Sequence, residues 1–170
     1  IRIASPVLRH FAQYRQLKDT ATEAGGQLFG SVSDVEVLLT HATGPYRDDE
    51  RSRFRYRSDT LSAQREIAAK AKQGAAYLGE WHTHAEARPT SSISDESAMA
   101  ALFAKSKLSM SSVLLIIVGR DAPPSGLRVR SFDGSGRIDW HCGDSGPDPG
   151  LLASFFRSSI GTFWGHSSSE

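Results

Sequence analysis

Two histidines one residue apart, followed eleven residues later by an aspartate, limit what this chain can become. In Gly79-Glu80-Trp81-His82-Thr83-His84 a strand sends alternate side chains to opposite faces, so His82 and His84 point one way and Trp81 and Thr83 the other. A polar loop containing Pro89 then leads to Ser92-Ile93-Ser94-Asp95, where a helix begins. Counted from Asp95, Ala98, Met99 and Leu102 fall at helical spacing, which puts Asp95 on the buried stripe in the first turn. An unpaired carboxylate directed into a core is costly and calls for a cation. Catalytic zinc sites take three protein ligands from the His and carboxylate set and leave a fourth position for water. His82, His84 and Asp95 are such a set. Each part has a plainer reading, since Ser92-x-x-Asp95 also fits a capping box and an acid in the first turn suits the helix dipole. Their coincidence at this spacing favours the metal.

A metal hydrolase also needs a base for the bound water. Two acids compete. Glu80 shares the face of His82 and His84 and could equally fix a histidine tautomer from behind. Glu23 opens Glu23-Ala24-Gly25-Gly26-Gln27-Leu28-Phe29-Gly30, where glycines in a strand allow another group to approach closely. The residues alone leave both open.

The remaining chain reads as alternating helices and strands, hence an α/β domain with a mixed sheet. Ile1–Ile3 is a short strand, and Ser5 followed by Pro6 starts a helix running to about Lys18. Val35–Thr40 is a strand, and Phe54-Arg55-Tyr56-Arg57 alternates like a half-exposed one. Thr60, a cap, begins a helix with Leu61, Ile67, Ala68 and Ala71 inward. Val113–Gly119 is a buried strand, Leu127–Phe132 and Arg137–His141 form a hairpin, and Leu151–Ile160 makes a last short helix. Residues 1–160 are expected as one domain and 161–170 as a flexible tail. Trp81, Trp140, His141 and Cys142 are read as structural.

Composition narrows the class. A formal net charge of +1, with arginines interleaved among acids between Gly44 and Asp59, offers no footprint for nucleic acid. One cysteine excludes an intrachain disulfide and agrees with a cytoplasmic setting. No apolar run approaches a membrane span, and no secretory leader is visible.

His82-Thr83-His84, seven residues, Ser92, two residues and Asp95 resemble the signature of JAMM (MPN-plus, JAB-domain) metalloproteases, and Glu23 to Gly30 resembles that family's upstream element. The resemblance implies a cytidine-deaminase-like fold, a mixed sheet flanked by helices. It also implies one Zn2+ held by His82, His84 and Asp95, with Glu23 as general base and Ser92 stabilising the tetrahedral intermediate. Glu80 is then left a supporting role. Ala85 departs from the proline common after the second histidine, which changes loop stiffness more than ligand identity. Within the family, the compact chain is most similar to bacterial deconjugating proteases encoded in antiphage operons, notably CBASS, beside ubiquitin-type activating and conjugating enzymes. The implied substrate is a protein, in CBASS the cyclic-nucleotide synthase, joined through its C-terminus to an amine. Its extended tail would add as a strand beside Phe54, Arg55, Tyr56 and Arg57. Two alternatives remain: trimming of a ubiquitin-like or sulfur-carrier precursor, and a scaffold that only binds partners.

Overall fold

The computed structural model describes residues 1–105, 111–143 and 153–157, those at 105, 141–143 and 153–157 by backbone alone. Ten strands and three helices follow in the order β1 (Arg2–Ile3), α1 (Ser5–Tyr14), β2 (Gly25–Val32), β3 (Val37–Ala42), β4 (Glu50–Ser52), β5 (Arg55–Arg57), α2 (Thr60–Lys72), β6 (Ala76–Thr83), α3 (Ile93–Lys105), β7 (Ser112–Val118), β8 (Leu127–Asp133), β9 (Gly136–Gly143) and β10 (Ala153–Arg157). Eight strands form one mixed sheet in the order β1-β10-β9-β8-β7-β6-β2-β3. It curls until β1 pairs with β3 as well as β10, and so closes. Only β6–β7 and β1–β3 run parallel. The expected mixed sheet with helices packed on it is what the chain forms.

Burial explains the arrangement. Leu114, Ile116 and Val118 of β7 turn toward one cluster that includes Ile3, Leu28, Leu39, Val129 and, from α1, Val7 and Phe11. The alternate residues Val113, Leu115 and Ile117 join Phe132 in a second cluster beneath Met99, Leu102 and Phe103 of α3. A strand covered on both faces reads as the continuous apolar run seen here. The cap on α2 is Asp59, whose carboxylate accepts from the Ser62 amide at 2.7 Å, and not Thr60.

The β6 strand carries a register shift opposite Leu28 and Phe29. Gly79 sits at φ 142°, and a Cβ there would come within 2.0 Å of the Leu114 carbonyl oxygen. This bulge lets Leu78 and Trp81 both enter the interior cluster although they are an odd number of positions apart. Beyond it Trp81 and Thr83 face inward, both fully buried, so Glu80, His82 and His84 share the outer face as simple alternation requires.

Several expectations shift. The first helix stops at Tyr14, and Ser5 is its first residue with Ala4 in the cap position, because the Pro6 ring already suits the first turn without a side-chain cap. Leu61 is 67% exposed, and Ala68 and Ala71 are exposed too, while Ile67 is half-buried and Ala63 is the buried residue of α2, which packs on β2 and β6. Val35 is exposed and precedes β3. Within Leu151–Ile160, Ala153–Arg157 is a strand, where a helix had been expected. The backbone edges of β1 and β9 both take it as partner, and paired phenylalanines favour the extended state. The segment 161–170 lies outside the described residues, as do the side chains of His141 and Cys142. Trp81 and Trp140 are core as expected, the latter packed against the interior cluster. Among the described residues no helix is long and apolar enough to cross a membrane.

Candidate metal centre

The carboxyl ends of β6 and β7, a parallel pair joined through α3, set the position of the site. His84 N–H donates to the Val118 carbonyl at 2.9 Å, continuing the ladder by one residue before the chain turns into the loop toward α3. Crevices at such strand ends, beside a helix N-terminus, are where α/β sheets place ligands.

Three donor atoms converge there. His82 Nε2 and His84 Nε2 are 3.1 Å apart, and Asp95 Oδ1 and Oδ2 lie 3.4 and 3.5 Å from them respectively. Tetrahedral coordination with bonds of 2.0–2.1 Å implies ligand separations of about 3.3 Å. Each of these separations is close to such a ligand–ligand edge, and the donor set, two imidazoles and a carboxylate, is of the type that holds a divalent ion. Side-chain exposures of 12%, 15% and 18% leave the group nearly dry but reachable.

Asp95 does two jobs at once. Its Oδ2 accepts from the Ser92 amide at 2.7 Å while Ser92 Oγ accepts from the Asp95 amide at 3.1 Å, a reciprocal cap on α3. The two sequence readings were compatible. Burial opposes the charge on Asp95, but His82 and the Ser92 hydrogen bonds hold its carboxyl well below the usual range. Of its stripe, Met99 is buried, Leu102 partly so, and Ala98 is exposed, because the apolar contact of α3 is narrow. The same burial lowers the His84 pKa, with the neighbouring His82 adding to it.

Glu23 reaches the site through strand register. Gly25 on β2 pairs with His82. Thr83, between the two histidines, turns inward, accepts the Ala24 amide on Oγ1 at 3.0 Å and donates its own N–H to the Ala24 carbonyl at 2.8 Å. On the other side Glu23 N–H donates to Ser52 O, and Arg51 Nε donates to Glu23 O. Glu23 is 6% exposed and walls a cavity of about 350 Å³ together with His82, His84 and Asp95. Burial pushes its carboxyl up to about 7, with the His82 charge opposing and Asp95 reinforcing.

The far wall of the cavity is the β4–β5 hairpin, a small sheet of its own. Phe54, Arg55 and Tyr56 line it, as do Ser92 and Ala85. Arg57 does not; it pairs with Glu50 at 3.5 Å. The Tyr56 ring lies so close to Gly25 that a Cβ there would sit 2.4 Å from it, which accounts for the glycine next to the cavity wall. Glu80 lies outside the cavity. It faces Gln27 across the sheet, accepts from the Tyr77 hydroxyl at 3.5 Å and is pushed up by burial, against the pull of His82.

One contributor escaped the sequence. Gln16, fully buried just after α1, accepts from the Thr83 hydroxyl at 3.3 Å and donates to the Ala21 and Arg53 carbonyls. It thereby ties the histidine strand to the hairpin. A glutamine in a loop carries no periodicity, so only its zero exposure reveals it.

Protonation of Glu23 has a measurable consequence. Without metal, the folded chain keeps this proton to about pH 7, whereas an ordinary carboxyl loses it near 4.5. Between those values the unfolded state binds fewer protons, so stability falls as pH rises, by about 3 kcal/mol in full. Urea unfolding of chelator-treated protein at pH 5 and pH 7.5 is expected to show this loss, and Glu23→Gln to lack it. Equal pH slopes in the two proteins would contradict the burial of an uncompensated carboxyl.

Residues 5–133 match the family described as prokaryotic homologs of the JAB domain. The chain is 37% identical over 142 residues to a Pseudomonas aeruginosa protein named CD-NTase/cGAS isopeptidase, covering 81% of this chain and 85% of that one. A Vibrio cholerae protein of the same name is 31% identical over 121 residues, 69% of this chain and 75% of its own length. Among solved structures, a Desulfitobacterium hafniense protein determined in solution superposes with a TM-score of 0.58 at 17% identity, over 81% of this chain and 87% of that one. That likeness concerns the fold.

Proposed function

The chain belongs to the prokaryotic JAB-domain family, and from that premise we propose that it is a zinc-dependent isopeptidase that releases a protein joined through its C-terminus to an amine. The observation that carries the reading is the ligand triangle of His82, His84 and Asp95 with the buried Glu23 on the same cavity. The relatives' names point to a cyclic-nucleotide synthase as the conjugated protein, and so to bacterial antiphage defence in the cytoplasm.

His82, His84 and Asp95 would hold the zinc ion, which when bound would supply Lewis-acid polarisation and an acidified water. Glu23, buried on the wall of the same cavity, takes a proton from the attacking water and returns it to the leaving amine. Ser92 Oγ accepts the Asp95 amide and its hydroxyl supports the Asp95 carboxylate, which places that hydroxyl at the cavity wall, where it would turn to donate to the developing oxyanion. Glu80 supports His82 electrostatically from outside the cavity. Phe54, Arg55 and Tyr56 on the hairpin, with Arg57 at its outer end, receive the extended tail of the substrate by strand addition.

Cleavage of two matched substrates tests this. A protein conjugated through its C-terminus to a lysine amine is expected to be cut, with the cut lost after zinc chelation and restored by added zinc. A protein that cuts only linear fusions would be a precursor-processing peptidase. One that cuts neither while binding the conjugate would be a scaffold, a reading that the intact ligand set and acid disfavour.

A further inference from the structure

We propose that Arg130, on β8 and outside the cavity lining, is a positioning residue that fixes the first turn of α3 and with it the Asp95 carboxylate. The inference rests on the metal reading above. Arg130 is 8% exposed on β8, and its Nη1 donates to both Ser91 Oγ and Glu96 Oε1. Its Nε donates to Asp139 Oδ1 at 2.5 Å across the β8–β9 ladder. Ser91 Oγ donates in turn to Glu96 Oε1 at 2.9 Å, and Arg137 donates to Glu96 Oε2. Ser91 and Glu96 bracket Ser92 and Asp95, so the guanidinium holds the turn immediately on both flanks of the reciprocal cap.

The placement is informative because the alternative was available. Two residues along the same strand face, Phe132 packs in the apolar cluster under Met99, Leu102 and Phe103. The rest of α3 is thus seated by hydrophobic contact, and an apolar side chain at 130 would have extended that seat at comparable stability. Apolar contact is non-directional and tolerates sliding of a helix on a sheet. A forked guanidinium bound to Glu96 on α3, to Ser91 just before it and to a carboxylate on β9 does not. Metal ligation requires donor atoms placed to about 0.2 Å, and consecutive helix positions point about 100° apart. Clamping Glu96 toward Arg130 therefore directs Asp95 toward His82 and His84.

The test measures zinc affinity by competition with a chelator of known affinity, beside thermal unfolding of the metal-free protein, for the full chain, Arg130→Met, Arg130→Lys and Phe132→Leu. Arg130→Met is expected to bind zinc about 10–100-fold more weakly, the usual effect of losing a group that orients a ligand. Arg130→Lys should recover part of this, because it restores the charge but not the fork. Phe132→Leu is expected to lower the unfolding temperature and leave zinc affinity unchanged. If Arg130→Met fails to fold, Glu96→Gln is read in the same way, with about 10-fold weaker binding expected. Wild-type affinity in a folded Arg130→Met or Glu96→Gln, or an equal loss in Phe132→Leu, overturns the proposal. A wild-type chain that binds no zinc overturns the metal reading itself, and that outcome is distinct.

Discussion

Replacing Glu23 with glutamine is expected to lower kcat/KM by about 10²–10⁴-fold while the protein still holds one zinc ion. Glutamine keeps the size of the side chain and loses only its capacity to accept a proton. The backbone around it is held by Thr83, Ser52 and Arg51 through main-chain groups that the substitution leaves alone. None of the three converging donor atoms belongs to Glu23. Removing the raised carboxyl should also relieve the folded chain of a buried acid, so the variant should be at least as stable as wild type above pH 7 without metal. Kinetics on a conjugated substrate, with metal content measured on the same preparation, separates the two effects. Full activity in Glu23→Gln would transfer the base to Glu80, despite the position of that residue outside the cavity.

The second large effect belongs to Asp95, where two roles can be taken apart. Asp95→Asn retains an oxygen that can accept the Ser92 amide and so keeps the α3 cap, but it removes the charge between the histidines. Asp95→Ala removes both. Both variants are expected to bind zinc at least about 100-fold more weakly, beyond what loss of an orienting group costs, and to lose detectable cleavage. Only Asp95→Ala should add the roughly 1 kcal/mol that a lost cap costs. Calorimetric titration with zinc and urea unfolding of the metal-free variants read the two quantities. Retention of tight zinc by Asp95→Asn would mean that the carboxylate serves the helix alone.

Most of this centre was legible because it is local. Alternation along one strand aligns His82 and His84, and a helical stripe orients Asp95, both over spans shorter than twenty residues. The choice between Glu23 and Glu80 was not local. It depends on β2 pairing with β6 so that Gly25 meets His82, and such a register between distant segments has no signature in either one. Resemblance to a family supplied what periodicity lacked. The misread stretches share a cause as well. Leu151–Ile160 is a short apolar run, compatible with either helix or strand, and it is the partnerless edges of β1 and β9 that decide. Of the stripe assigned to α2 only Ile67 turns even partly inward, and Ala63 is the buried residue of that helix, so Leu61, Ala68 and Ala71 stay in solvent. Gln16 and Arg130 are buried polar residues whose partners lie far along the chain, and no pattern in the chain announces them.

Locating the metal decides whether His82, His84 and Asp95 hold it. Crystals of the full chain grown with zinc, measured on both sides of the zinc absorption edge, are expected to show one anomalous peak. It should lie about 2.0–2.2 Å from His82 Nε2, His84 Nε2 and an Asp95 oxygen, with Glu23 facing its open side. A peak ligated elsewhere, or none at this triangle in protein that cleaves its conjugate, would contradict the account.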